Sequence, residues 1–269
     1  MNLATSNSKD YYNAVAPHYD DLYLDPLSLA ENQIVGDLLM QRIRTLGTSV
    51  RILDLGCGTG LAYDLIAPVA LKEGIKLDYH GIDISEKMIY FADVKHYNNV
   101  DCRFEVKDMN HLSSIKTESV DFVCSIFGSF SHAENYEHVI REIKRVLKPG
   151  GKLFLITYSP YSLRNIWTAI RKRSLNSVKF NQPYDVRNND ATISCPAYFY
   201  SKQKMSLLLE KNGFDQCHFQ GLNLIGEVPF LKTFLRNSNA IGKVLRLELK
   251  LSPFTANFGH SLITEAVSK

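Results

Sequence analysis

Between Asp54 and Gly60 the chain reads DLGCGTG, a glycine cluster that directly follows the apolar run Val50–Leu55. Glycines at such a point let the backbone approach a ligand closely, and the N-terminus of a following helix offers N–H groups with no helical partner. Gly56, Cys57, Gly58 and Gly60 are therefore candidate ligand contacts. A turn of this kind alone suits many nucleotides. Three further features narrow the chemistry. Asp83 stands 23 residues beyond Gly60, where a carboxylate can accept hydrogen bonds from both hydroxyls of a ribose. Asp108 can accept from an exocyclic amine, with Met109 beside it to cover an adenine face. Ser125 and Ile126 end another apolar run and bring their backbone to the same place. The combined chemistry is that of a nucleoside site.

These residues need a scaffold that brings strand ends together. Val50–Leu55, Lys76–Ile84, Asp101–Asp108, Val120–Phe127 and Lys152–Tyr158 read as buried strands, and helical spacing fills the intervals Leu61–Leu71, after the N-cap Ser85, and Glu134–Leu147. Strands alternating with helices predict a doubly wound, mostly parallel α/β sheet. In such sheets ligands bind outside the carboxyl ends of the strands, where these residues stand. A further helix, Lys202–Lys211, is closed by Gly213, and Asp215–Ile225 and His260–Val267 read as two more strands. The first 45 residues read as polar and helical, broken by Pro17 and Pro26. Residues 159–200 lack periodicity, and Gly226–Gly259 reads as a partly helical insertion.

Bulk properties limit the rest. The 269 residues allow one substantial core, and 45% hydrophobic with 22% charged residues is ordinary globular composition. Five cysteines without a Cys-x-x-Cys pair disfavour a disulfide framework and a structural zinc site, which suits a cytoplasmic protein. No apolar run reaches the roughly 20 residues of a membrane span, and no signal-peptide core is visible at the N-terminus. Charge is uneven. Residues 1–157 carry 16 Lys/Arg against 21 Asp/Glu, a balance of −5, while residues 158–269 carry 15 against 7, a balance of +8. A solvated basic face explains this, as does attraction to an anionic substrate or to a membrane surface touched peripherally.

In order and spacing, ILDLGCGTG, GIDIS, KDMNHL and REIKRVLKPGGKLFLIT resemble the successive motifs of the class I S-adenosylmethionine (SAM)-dependent methyltransferases. The likeness is to the small-molecule type, as in ubiquinone and menaquinone biosynthesis and natural-product methylation, and covers roughly residues 11–157. It implies a seven-stranded Rossmann-like sheet whose last strand is antiparallel. It also implies that Gly56, Gly58 and Gly60 surround the methionine part of SAM, Asp83 holds the ribose, and Ile84, Met88, Asp108 and Met109 form the adenine pocket. YYNAVAPHYDDLY (Tyr11–Tyr23) resembles the helix that such enzymes place over the cofactor, with Tyr19 closing and Tyr11, Tyr12 and Tyr23 competing for that role. The division expected is a helical cap at 1–45, a SAM-binding core at 46–158, lid insertions at 159–200 and 226–259, and remaining core at 201–225 and 260–269. Aromatic residues of the lid, among them Trp167, Phe180, Phe199, Phe230 and Phe234, suit a medium-sized aromatic or hydrophobic small-molecule acceptor.

SAM carries an activated methyl group, so the protein's main task is alignment for in-line displacement, without a metal. A hydroxyl acceptor would gain from a general base. His132, in GSFSHAEN past the fourth strand, is the first candidate and His18 the second. An O-, N- or C-acceptor all remain open, as does the oligomeric state. A catalytically silent SAM-binding scaffold is one alternative. Another is a short-chain dehydrogenase, for which Tyr200 and Lys204 have the right spacing but the wrong place. Scattered basic residues without a recognition module disfavour a nucleic-acid partner.

Overall fold

The structure, a computed structural model, describes residues 8–171, 184–187, 194–224, 238–251 and 255–269. Helix α1 (Ser8–Val15) and two short 3-10 turns, Ala16–His18 and Asp20–Tyr23, lead into α2 (Pro26–Ile43). Pro26 does not break this region; it occupies the first turn of α2, where its missing N–H costs nothing. The Asp25 side chain caps the helix by accepting from the backbone N–H groups of Leu27 and Ser28 at 3.0 and 3.3 Å.

Strands and helices then alternate: β1 (Ser49–Leu55), α3 (Leu61–Lys72), β2 (Lys76–Asp83), α4 (Glu86–Lys95), β3 (Cys102–Val106), β4 (Val120–Ser125), α5 (Tyr136–Val146) and β5 (Leu147–Tyr158). Beyond them come α6 (Leu163–Arg171), β6 (Tyr184–Arg187), β7 (Ser194–Ala197), α7 (Lys202–Lys211), β8 (Phe214–Leu222), α8 (Ser238–Lys250) and β9 (Ser261–Ser268). The main sheet has seven strands in the order β3-β2-β1-β4-β5-β9-β8. All neighbours from β3 to β5 pair in parallel, and β9 runs antiparallel to both β5 and β8. The order reverses between β1 and β4, which places a ligand crevice above the ends of those two strands.

Residue alternation along the strands feeds two separate cores. Ile52, Tyr79, Phe122, Phe154 and Ile263 face α2, α3 and α8, while Leu53, Ile82, Val123, Leu155 and Leu262 face α5 and α7. Burying each such side chain is worth about 1.5–3 kcal/mol. The fifth strand starts earlier than Lys152. Leu147 already pairs with Val120, and the Lys148–Gly151 turn is taken up as an irregularity before Phe122 pairs with Lys152.

The unpatterned stretch 159–200 contains α6 and the two-stranded antiparallel hairpin of β6 and β7, elements too short to show a period. In the 226–259 insertion, α8 packs along α2, burying Ile241 and Leu245, and Arg246 bonds Asp37 at 2.7 Å. Phe180, Phe230 and Phe234 lie outside the described residues. Among the described residues no helix is long and apolar enough to cross a membrane.

Candidate functional site

The glycine turn is anchored from below: the N–H groups of Gly56 and Cys57 both donate to the Ile82 carbonyl, at 2.8 and 2.9 Å. Gly56 and Gly60 have φ of 72° and 92°, in the left-handed region that disfavours a side chain. Space forbids one as well. A Cβ on Gly56 would lie 2.5 Å from Ser129 Cβ, and one on Gly60 would lie 2.8 Å from His96 Nε2. Cys57 turns away from the crevice into the core against Gly81, and burial pushes its thiol well above the ordinary range. Gly60 precedes the first turn of α3.

Asp83 ends β2 with one carboxylate oxygen accepting from Gly58 N at 3.0 Å and the other from Ser85 N at 2.9 Å. Burial raises its carboxyl to about 6, against which those backbone donors work. Behind it, Asp54 is raised to about 7, chiefly by burial, although the Tyr79 hydroxyl donates to it at 2.5 Å. Asp108 Oδ1 accepts from both the backbone and the side-chain nitrogen of Asn110 at 2.8 Å, which fixes the loop after β3.

The end of β4 supplies structure more than contact. Ser125 is buried and its hydroxyl donates to the Leu55 carbonyl at 2.7 Å, tying β4 to β1. Ile126 is buried behind the crevice. Phe127 and Gly128 then take φ of 50° and 88°, a sharp turn that lays the short 3-10 helix Ser129–His132 over the glycine turn. Ser129 Oγ donates to Gly56 O at 2.9 Å.

His132 is 9% exposed, and its ring meets Tyr12 and Tyr158 edge-on at 5.6 and 5.8 Å. Its Nδ1 lies 3.1 Å from Cys195 Sγ. His18, by contrast, is 86% exposed beside Asp21, at 3.7 Å, and does not line the cavity.

The N-terminal segment roofs the crevice. Tyr12 packs on Tyr19 at 6.3 Å, and Tyr19 on Tyr23 at 5.2 Å with their hydroxyls 3.0 Å apart. Burial holds all three phenols above their usual range. Polar contacts fasten this roof. Asn13 accepts from Ser85 Oγ at 2.7 Å and donates to Glu86 at 3.2 Å, and Lys9 pairs with Glu86. Thr59 Oγ1 donates to Asp20 at 2.5 Å, and Lys95 bridges Asp20 and Asp64 at 3.1 and 2.5 Å.

Together these elements enclose a cavity of about 250 Å³. Of the residues anticipated from sequence, Tyr19, Gly56, Gly58, Asp83, Ile84, Met88, Asp108, Met109 and His132 line it. Cys57, Gly60, Ser125 and Ile126 shape it from behind. Ser8, Tyr12, Lys107, Asn110, Ser129, Ala133 and Glu134 also line it. Gly128 directly after a strand was the readable sign of the Ser129 contact; nothing in the sequence marks Lys107 or Ala133. Tyr200 and Lys204 stand outside the cavity, with Lys204 Nζ over the Tyr200 ring at 4.7 Å and over Tyr136 at 4.5 Å.

Residues 53–155 match the family described as a methyltransferase domain. An uncharacterised protein of Methanocaldococcus jannaschii is 26% identical over 239 residues, 85% of this chain and 86% of its own. A demethylmenaquinone methyltransferase of Lactobacillus johnsonii is 29% identical over 221 residues, 80% of this chain and 87% of its own. Among solved structures, a SAM-dependent methyltransferase of Thermotoga maritima, described as a possible histamine N-methyltransferase, shares the fold. Its TM-score is 0.59 at 17% identity, covering 97% of this chain and 99% of that one.

Proposed function

We propose that the chain, which matches a methyltransferase domain over residues 53–155, is a SAM-dependent methyltransferase that methylates a hydroxyl group on an aromatic or hydrophobic small-molecule acceptor. The observation that carries this reading is the place of His132. It lines the donor cavity while Tyr12 and Tyr158 grip its ring edge-on. A histidine so held suits a base acting on an aromatic hydroxyl. The relative's name, a demethylmenaquinone methyltransferase, supports a quinol-like ring as the acceptor class.

The residues present fit the cofactor. The backbone of Gly56 and Gly58 and the carboxylate of Asp83 line one cavity together, beside the apolar side chains of Ile84, Met88 and Met109. When bound, SAM supplies a methyl group activated by a cationic sulfur. In this reading Gly56 and Gly58 admit the methionine part, and Asp83 accepts from the ribose hydroxyls. Asp108 accepts from the adenine amine, with Ile84, Met88 and Met109 against the ring faces. Tyr19 and Tyr12 close the roof and exclude water. His132 takes the acceptor's hydroxyl proton as the oxygen accepts the methyl group. Alignment supplies most of the acceleration, and the base adds about 10²–10⁴-fold. Residues 159–200 serve as the acceptor lid, through Phe199 against Tyr158 and Cys195 against His132.

The test is turnover of SAM to S-adenosylhomocysteine (SAH) with a soluble hydroxynaphthoquinol, a catechol, a primary amine and no acceptor. Transfer to the hydroxylated rings, lost in His132→Ala, is the expected result. Transfer to the amine alone, or a His132→Ala enzyme at full rate, overturns the reading. Binding of NAD(H) measured beside SAH addresses the dehydrogenase alternative, which neither Tyr200 nor Lys204 favours by position.

A further inference from the structure

Helix α4 and the N-terminal roof share a small apolar cluster separate from the two cores of the sheet. Val15, Ala16 and Met88 form it, with Tyr12, Tyr19 and Phe91 packed against them. Polar ties close this contact at both ends of α4. At its start, Asn13 and Lys9 hold Ser85 and Glu86. At its end, Lys95 reaches Asp20 of the roof at 3.1 Å and Asp64 of α3 at 2.5 Å. Asp20 in turn accepts from Thr59 of the glycine turn. Met88, which lines the cavity, stands between the two ends.

Lys95 sits in the last turn of α4 and Asp64 in the first turn of α3, so each charge also complements the dipole of its own helix. Burial alone would lower the Lys95 ammonium, but Asp64 and then Asp20 outweigh it and hold it above its ordinary range. Without that ammonium two carboxylates face each other across the space it fills, one on the roof and one on the scaffold. The His96 ring lies 3.3 Å from Asp64, yet burial keeps it below its ordinary range, so it brings no second cation at neutral pH.

We propose that Lys95 is a positioning residue for the cofactor. By joining Asp20 to Asp64 it holds the roof, and Tyr19 with it, down on the glycine turn, and so sets how long the nucleoside stays. The inference rests on the reading of the cavity as a SAM site. Lys95 does not line that cavity; it acts through Asp20, the residue after Tyr19. A single half-exposed ion pair contributes little. Lys95 matters because one ammonium serves two carboxylates on separate elements.

The experiment compares full-length wild type, Lys95→Met, Lys95→Arg and the double variant Asp20→Asn/Lys95→Met. Hydrogen exchange of the Ala16–Tyr23 amides is read in the ligand-free protein, and SAH release is timed by stopped flow. Lys95→Met is expected to speed exchange in that segment and to release SAH roughly 5- to 10-fold faster. Lys95→Arg, which can also bridge two carboxylates, stays near the wild type. Adding Asp20→Asn to Lys95→Met recovers part of the loss, because a neutral amide no longer repels Asp64 and still accepts from Thr59. A merely structural lysine would show no such recovery. Wild-type exchange and release in Lys95→Met, or an arginine as poor as methionine, overturns the proposal. If exchange responds as expected but the wild type binds no SAH, the SAM reading fails and the fastening of the roof stands.

Discussion

The hydroxyl of Thr59 donates to the Asp20 carboxylate at 2.5 Å, so the residue after Gly58 holds the residue after Tyr19. A Cβ placed on Gly58 would touch the Tyr19 ring at 3.6 Å, which shows how closely the roof lies on the turn. A cofactor beneath Tyr19 is expected to be retained only while this fastening holds. Thr59→Val removes one hydrogen bond to a charged group, worth about 1.5–3 kcal/mol when fully realised. SAH binding by calorimetry is expected to weaken by roughly 10-fold, mainly through faster release. An unchanged dissociation rate shows that the roof does not gate the cavity.

Asp83→Asn keeps the shape of the β2 end but removes the acceptor charge. Affinity for SAH is expected to fall by about 2–3 kcal/mol, a loss near 10²-fold. Wild-type affinity carries a signature of the same group. Ribose hydroxyls favour the carboxylate, so binding weakens as pH drops through about 6 and Asp83 takes up a proton. The variant loses that dependence. Equal pH profiles for the two proteins argue against Asp83 as the ribose acceptor.

Asp54 predicts how the ligand-free fold responds to pH. Its folded-state carboxyl is raised to about 7, from an ordinary value of 3.8. The native state thus keeps a proton that the unfolded chain has released, and this stabilisation is lost as pH rises through about 7. His80 and His96, lowered by burial from 6.5, act in the opposite sense below that pH. The measurement therefore compares the wild type with Asp54→Asn between pH 6.5 and 8, where the Asp54 contribution to the unfolding free energy should drop by roughly 1 kcal/mol. Asp54→Asn should flatten that drop. A wild type and Asp54→Asn variant with parallel stability profiles across this window speak against a buried neutral acid.

Two glycines with similar backbone angles separate strain from collision. Gly56 and Gly150 have φ of 72° and 77°, but only Gly56 faces an obstacle, Ser129 Cβ, 2.5 Å from its would-be Cβ. Gly150→Ala should cost about 1–2 kcal/mol in urea unfolding, the left-handed penalty alone. Gly56→Ala should cost more than that and abolish SAH binding. Equal costs would mean that the 3-10 helix shifts freely.

Much of this was readable before the fold was known, for identifiable reasons. The parallel strands announce themselves because both faces are buried, giving continuous apolar runs such as Leu153–Ile156. Asp83 at the end of β2 follows from that frame by position. The strand expected over Asp101–Asp108 ends instead at Val106 and leaves Asp108 and Met109 in the loop beyond it. What escaped depends on contacts between distant segments. Tyr12 meets His132 across 120 positions of chain, and Cys195 meets it from 63 positions away, spacings that no local pattern encodes. The hairpin of β6 and β7 is four residues a side, too short for alternation to stand out. Pro26 illustrates a different limit, because a proline inside a helical stretch and one that starts a helix look alike until the cap at Asp25 is seen.

Tyr12 stands between Tyr19 and the candidate base His132. One edge of its ring meets Tyr19, above the glycine turn, and another meets His132, beside which the acceptor is proposed to sit. A single side chain is therefore the party wall of two rooms. Whatever settles beneath Tyr19 sets the position of that wall before the neighbouring room takes its final shape. On the proposed function, the turnover cycle is expected to have a compulsory sequence of entry, with the nucleoside first in and last out, which product-inhibition kinetics with SAH would check.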